Sequence, residues 1–113
     1  MGRPLMRLLV TGSRDWTDWE VVQGAMLDVI SVADGELALV HGDCPTGADF
    51  IAKEIWHAWV ALQDAGLTDY AYFYLSDDEP HPADWITHGK AAGPIRNREM
   101  LETGIDLCLA FVL

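Results

Sequence analysis

Residues 5–14, LMRLLVTGSR, decide how this chain is read. Leu5 to Thr11 is apolar enough for one central strand, does not alternate strictly in polarity, and stops at Gly12. A strand that is apolar on both faces belongs in a parallel sheet covered by helices on both sides. Gly12 then lets the backbone turn closely, and Arg14 places a permanently charged, planar fork just beyond the strand.

The pattern repeats downstream. Thr17 and Glu20 have the spacing of a capping box, which predicts a helix beginning near Asp18. Val22, Met26, Val29 and Ala33 make its apolar stripe, and Asp34 and Gly35 end it. Leu37 to Val40 reads as a second strand, and Ala48, Ile51, Ala52, Ile55, Trp59 and Leu62 mark one face of a second helix closed by Gly66. Tyr70 to Leu75 reads as a third strand. Residues 76–93 form a long irregular connection, expected to flank or lid a pocket. A third helix is expected to start at Pro94, with Ile95 and Leu101 toward the sheet, and Leu107 to Val112 reads as the fourth strand. The fold expected is α/β: a three-layer, open, mainly parallel, Rossmann-like sheet. One domain spanning residues 1–113 is expected, shortened at its C-terminus relative to longer relatives or naturally minimal.

Composition narrows the partners. Seven Lys and Arg face eighteen Asp and Glu, a formal net charge of -11, so duplex nucleic acid is not an expected partner. No apolar run approaches the roughly 20 residues a membrane span requires. The start, MGRPLMRLLVTG, carries no cleavage pattern, and a cytoplasmic protein is the expectation. Cys44 and Cys108 lie too far apart for a redox pair or a zinc half-site; Cys44 reads as a loop thiol, Cys108 as core. His41, His57, His81 and His88 are scattered without a metal-binding spacing, so neither a metal nor a prosthetic group is expected.

In open parallel sheets, ligands bind beyond the carboxyl ends of the strands, which directs attention to three segments. TGSR (11–14) offers Gly12, Ser13 and Arg14 as an anion-binding turn, or alternatively a tight turn with an exposed arginine. HGDCPTGAD (41–49) offers Gly42 and a helix N-terminus, but Asp43 and Asp49 oppose phosphate there. Those two carboxylates are candidates for ribose hydroxyls or for catalysis, against capping and turn bonding as the structural alternative. His41 is either a base or a buried histidine with both nitrogens satisfied. The third segment supplies Trp85, Lys90, Gly93, Arg96 and Asn97. Arg14, Lys90, Arg96 and Arg98 are four of only seven basic residues, and the topology brings most of them toward one edge of the sheet. Trp56, Trp59 and Trp85 have faces on which a base could stack, though Trp59 reads most simply as core.

TGSR, VHGDCPTGAD (40–49), HPADW (81–85) and GKAAGPIRNREM (89–100), followed by Asp106 and LCLAF, resemble the YspA, YpsA-related branch of the SLOG superfamily along essentially the whole chain. The resemblance implies a Rossmann-like domain related to LOG-type phosphoribohydrolases and DprA. It implies a nucleotide or nucleotide-derived ligand, with Gly12, Ser13 and Arg14, then Gly42, Ala48 and Asp49, then Gly93, Arg96 and Asn97 as the matching positions. The GGxGT segment and glutamate of the hydrolase members have no counterpart before Leu113. Binding of a small anionic, nucleotide-like molecule, in a sensor role, is the leading expectation. The alternatives are an N-glycosidic hydrolase acting on nucleoside monophosphates and a structural or protein-interaction subunit. A homo-oligomer, most simply a dimer, is expected from the shortage of helices to cover apolar surface.

Overall fold

The computed structural model describes residues 5–67 and 73–113. The chain runs β1 (Leu5–Gly12), α1 (Trp19–Ser31), β2 (Gly35–His41), α2 (Gly47–Asp64), β3 (Phe73–Leu75), β4 (Glu79–Pro80), α3 (Trp85–His88), a 3₁₀ turn (Gly89–Ala91), α4 (Ala92–Glu102) and β5 (Leu107–Phe111). The strand order is β3-β2-β1-β5, with β4 also on β2, and every pairing is parallel. Parallel neighbours require helical crossovers, and these divide the chain into three layers.

One face of the sheet packs on α1 and α2. Leu8 and Val10 of β1, Leu37 and Leu39 of β2, Val22 and Met26 of α1, and Ile51, Ala52 and Trp56 of α2 form its core. The opposite face is held by α4, where Met100 packs on Leu9 and Val40 with Ile105 alongside. Adjacent residues of β1 therefore enter different cores, as period-two geometry demands. The nearly continuous apolar character of that strand is the direct consequence.

Several local expectations change. Helix α1 is capped by Asp18, whose carboxylate accepts from the Val21 amide at 3.2 Å, rather than by a Thr17 box, because Asp18 is the residue immediately before the helix and its side chain reaches the orphan donor three residues on. Tyr70 to Tyr72 of the expected third strand lie outside the described residues; Phe73–Leu75 is strand. Gln63 caps that edge by bonding both the amide and the carbonyl of Leu75 at 2.8 Å, which satisfies the open ladder. The segment 76–93 is not irregular: it holds β4, α3 and the 3₁₀ turn. Helix α4 starts at Ala92, and Pro94 falls within its first turn, where a missing N–H also costs no intrahelical bond. Met100 rather than Leu101 faces the sheet, and Leu101 is exposed. Cys108 is exposed as well, not core, because β5 is an edge strand and leaves Cys108 on the open groove beside α4.

Between β3 and β4 the chain steps out of the sheet and back. Ser76 donates both its amide and its hydroxyl to the Leu37 carbonyl, at 2.8 and 2.9 Å, while Trp56 Nε1 donates to the Ser76 carbonyl at 2.8 Å. The chain jogs there before rejoining β2 at Val40 and His41. That jog carries Asp78 in beside His41 and His57.

Candidate functional site

The order β3-β2-β1-β5 reverses at β1, so the crevice of interest lies beyond the carboxyl ends of β1 and its neighbours. Gly12 closes the side toward β5. A Cβ there would stand 2.2 Å from the Phe111 carbonyl oxygen, and the Ser13 amide donates to the same oxygen at 2.8 Å. The Ser13 carbonyl accepts from Ala48 at 3.3 Å, and its hydroxyl accepts from the Leu113 amide at 3.0 Å. Gly12 and Ser13 thus tie β1 to β5 and to the start of α2. Gly47 completes the junction: its φ of +82° and the 2.3 Å from a would-be Cβ to the Ser13 carbonyl leave no room for a side chain.

The open space lies on the β2 side. A cavity of about 300 Å³ is lined by Arg14, Gly42, Asp43, Cys44, Pro45, Pro82, Ala83, Trp85 and Arg96. Four elements supply this lining: the turn after β1, the loop after β2, the segment from β4 into α3, and α4. Arg96 is only 8% exposed. Its Nη1 donates to the Gly42 carbonyl and lies 3.5 Å from the His81 carbonyl, and its Nε donates to Asn97 Oδ1 at 2.8 Å. Arg14 lies across the opening with its guanidinium 5.0 Å from the centroid of the Trp85 ring. Among the described residues neither arginine has a carboxylate within 4.0 Å. Among the described residues, two cations without a carboxylate in direct contact therefore share one small cavity in a chain of net charge -11.

The carboxylates have other duties. Asp49, 4% exposed, accepts from the Gly42 amide at 2.9 Å and sits behind the loop rather than in the cavity lining. A Cβ on Gly42 would meet Arg96 Nη1 at 2.4 Å and Asp49 Oδ2 at 2.8 Å, so only glycine lets the arginine and the aspartate both come this close. Asp43 lines the cavity, adopts a positive φ of 54°, and lies 3.7 Å from Lys53 Nζ. Cys44 Sγ is 3.9 Å from Arg96 Nη1. Burial, then the Asp49 carboxylate, pushes its thiol up, and the pull of Arg96 and Arg14 does not reverse this, so it is a poor nucleophile.

Of the positions singled out from sequence, Arg14, Gly42, Asp43, Trp85 and Arg96 converge on the cavity, with Asp49 immediately behind it. Lys90 is exposed on the 3₁₀ turn outside the lining. Gly93 packs under Trp85, with 3.6 Å from a would-be Cβ to Trp85 Cη2. Asn97 orients Arg96 and borders a separate groove with Leu9, Thr11, Met100, Leu101 and Cys108. Trp56 and Trp59 are both core. Pro45, Pro82 and Ala83 lie within the quoted segments but are not singled out there as site residues, since nothing in the residue type distinguishes a cavity wall from a turn. Both nitrogens of His41 are satisfied: Nδ1 accepts from the Asp43 amide at 3.0 Å, and Nε2 lies 2.6 Å from Asp78 Oδ2. Among the described residues no cluster of three or more His, Cys, Asp or Glu could hold a metal ion, and no helix is long and apolar enough to cross a membrane.

An open parallel sheet with glycine turns and cationic side chains gathered beyond its carboxyl edge defines a Rossmann-like α/β domain. The chain belongs to the YspA, cpYpsA-related SLOG family, whose model matches residues 6–59. It is similar to the Gene 61 protein of Mycobacterium phage D29, at 41% identity over 109 residues, covering 96% of this chain and 78% of that protein. No solved structure matches it significantly. Membership of this family and the parallel sheet are consistent with nucleotide binding in general.

Proposed function

We propose that this domain binds a nucleotide or nucleotide-derived ligand, with a phosphate held in the cavity between Arg14 and Arg96. The observation that carries this reading is the buried Arg96 guanidinium, which borders the cavity with no carboxylate within 4.0 Å among the described residues. A buried charge is costly unless it is paired, and a bound anion supplies a direct ionic partner beside the carbonyl acceptors that Arg96 already has. Arg14 offers a second fork across the same space, and two planar donors suit phosphate oxygens. The cavity of about 300 Å³ falls at the lower end of small-molecule sites.

The Trp85 ring supports this assignment in a way the sequence did not suggest. With Arg14 lying over it, the tryptophan acts as a platform for the guanidinium rather than as a vacant surface for a base. Calorimetry with a panel of nucleoside mono- and diphosphates tests the proposal, using Arg14→Ala and Arg96→Ala as paired variants. If both variants bind the best nucleotide as tightly as the parent protein, the phosphate does not sit here.

A further inference from the structure

Behind the cavity lies a second set of polar groups that binding alone does not require. His41 is wholly buried at the end of β2, and His57 stands on α2 with its ring half exposed. Asp78 bridges them, Oδ2 at 2.6 Å from His41 Nε2 and Oδ1 at 2.7 Å from His57 Nε2. An amide N–H is always a donor, so the 3.0 Å contact from Asp43 makes His41 Nδ1 the acceptor and places the ring proton on Nε2, facing the carboxylate. A line of hydrogen bonds then runs from His57 through Asp78 and His41 to the backbone of Asp43.

We propose that Asp78 is a positioning residue for the anion cavity: by fixing the His41 ring it holds the Gly42–Pro45 rim in the shape that aims Arg96 at ligand. This inference rests on the anion-binding reading of the cavity. Its basis is geometric. Gly42, whose carbonyl accepts from Arg96 Nη1, lies between His41 and Asp43, the residues joined by the Nδ1 contact. The backbone at Asp43 has a positive φ of 54°, a conformation uncommon outside glycine though tolerated by aspartate, and the contact from its amide to His41 Nδ1 helps to hold it there. On the other side, the His81 amide donates to the His41 carbonyl at 2.8 Å, so β4 clamps the same strand end.

Other charged groups face this assembly. Asp49 of α2 accepts from Gly42, Lys53 of α2 lies 3.7 Å from Asp43, Glu79 lies in β4 with His81 just after it, and Arg96 of α4 reaches over the rim. Burial acts to raise the Asp78 carboxyl, but the hydrogen bonds from His41 and His57 outweigh it and hold it below the usual carboxylate range. Asp78 is therefore an ionised acceptor at neutral pH. Acid that protonates His41 Nδ1 replaces the acceptor with a donor aimed at the Asp43 N–H. The charge this adds is met by Asp78 at 2.6 Å, so the change felt at the cavity is the lost rim bond.

The test uses sulfate, whose charge is constant across the range in which imidazoles titrate, about pH 5 to 8. Sulfate affinity of the whole chain is measured by calorimetry, while nitrogen NMR follows the His41 ring and the Asp43 amide. Parent protein should lose affinity by about fivefold or more on acidification, the scale of one hydrogen bond, in step with the change at the Asp43 amide. Asp78→Ala should weaken binding at pH near 8 and shift the Asp43 amide, while Asp78→Asn, which can still accept from Nε2, should recover most of the affinity. Unchanged sulfate affinity and an unmoved Asp43 amide in Asp78→Ala would overturn the proposal, as would a His41 whose Nδ1 carries the proton at neutral pH. If parent protein binds no sulfate at any pH while the Asp43 amide still responds to Asp78→Ala, the anion reading has failed and the link to the rim has not.

Discussion

The guanidinium of Arg14 lies over the ring of Trp85, 5.0 Å from its centroid, so a residue of the turn after β1 is held by one at the start of α3. The contact spans 71 positions of sequence and closes the outer wall of the cavity. Removing either member should have unequal consequences. Arg14→Ala should weaken phosphate binding by roughly 1.5 to 3 kcal/mol, or about ten- to a hundredfold, the scale of a charged hydrogen bond. Trp85→Ala should cost only about 0.5 to 1 kcal/mol of binding, the worth of an exposed cation–π contact. Calorimetry on one established nucleotide checks both, and equal losses would mean that Trp85 touches ligand directly.

Arg96 is expected to serve the fold as well as the ligand. Its replacement by Ala leaves the buried Gly42 carbonyl without its donor, so Arg96→Ala should lower unfolding stability by about 1 to 3 kcal/mol in the absence of ligand. Arg14, exposed beyond the end of β1, should leave stability within about 0.5 kcal/mol of the parent when truncated. Urea titrations of the two variants separate these roles.

Asp49 should be structural. Asp49→Ala removes the acceptor of the buried Gly42 amide and should cost about 1 to 3 kcal/mol, whereas Asp49→Asn, which keeps an oxygen there, should retain most of the stability. Chemical denaturation gives the answer, and a fully stable Asp49→Ala would mean that this carboxylate is free to act on ligand after all.

Asp78 gives the protein a definite acid sensitivity. A carboxyl whose folded value is depressed contributes its full stability above the ordinary carboxylate value near 3.8, and loses it as the pH falls through the lower folded value. Unfolding midpoints measured from neutral pH downward should decline in that window for the parent protein and decline less for Asp78→Asn. The comparison isolates this group from the other carboxylates, which both proteins share.

Self-association should cover the β5 side of the sheet. Leu101, Leu107, Val112 and Leu113 are exposed there together with Cys108, and the net charge of -11 makes such uncharged surface the favourable place for a second copy to meet. Sedimentation equilibrium at tens of micromolar should report a dimer, and Leu101→Glu should return it to monomer. A monomeric parent protein would set this expectation aside.

The sequence alone determined the layered order of the fold and the cast of residues at its carboxyl edge. Apolar runs on both faces of β1 and β2, helical stripes on α1 and α2, and glycines after each strand are local patterns, readable because backbone geometry imposes periods of two and 3.6. The scarcity of cations in an acidic chain likewise pointed to Arg14 and Arg96 before any contact was seen. Tertiary structure decided which of these residues meet. Gly12 and Ser13 proved to be occupied with Phe111, Ala48 and Leu113, and Lys90 stood aside, because amide donors that look free in a sequence are claimed by whichever strand or helix packs beside them. Trp85 became the platform of Arg14, and Asp78, unremarked in its loop, became the bridge between two histidines 16 residues apart, because only the jog between β3 and β4 carries it there. Composition and period report what a segment prefers. Long-range contacts are fixed by the joint packing of all the segments, and a single short segment holds no record of them.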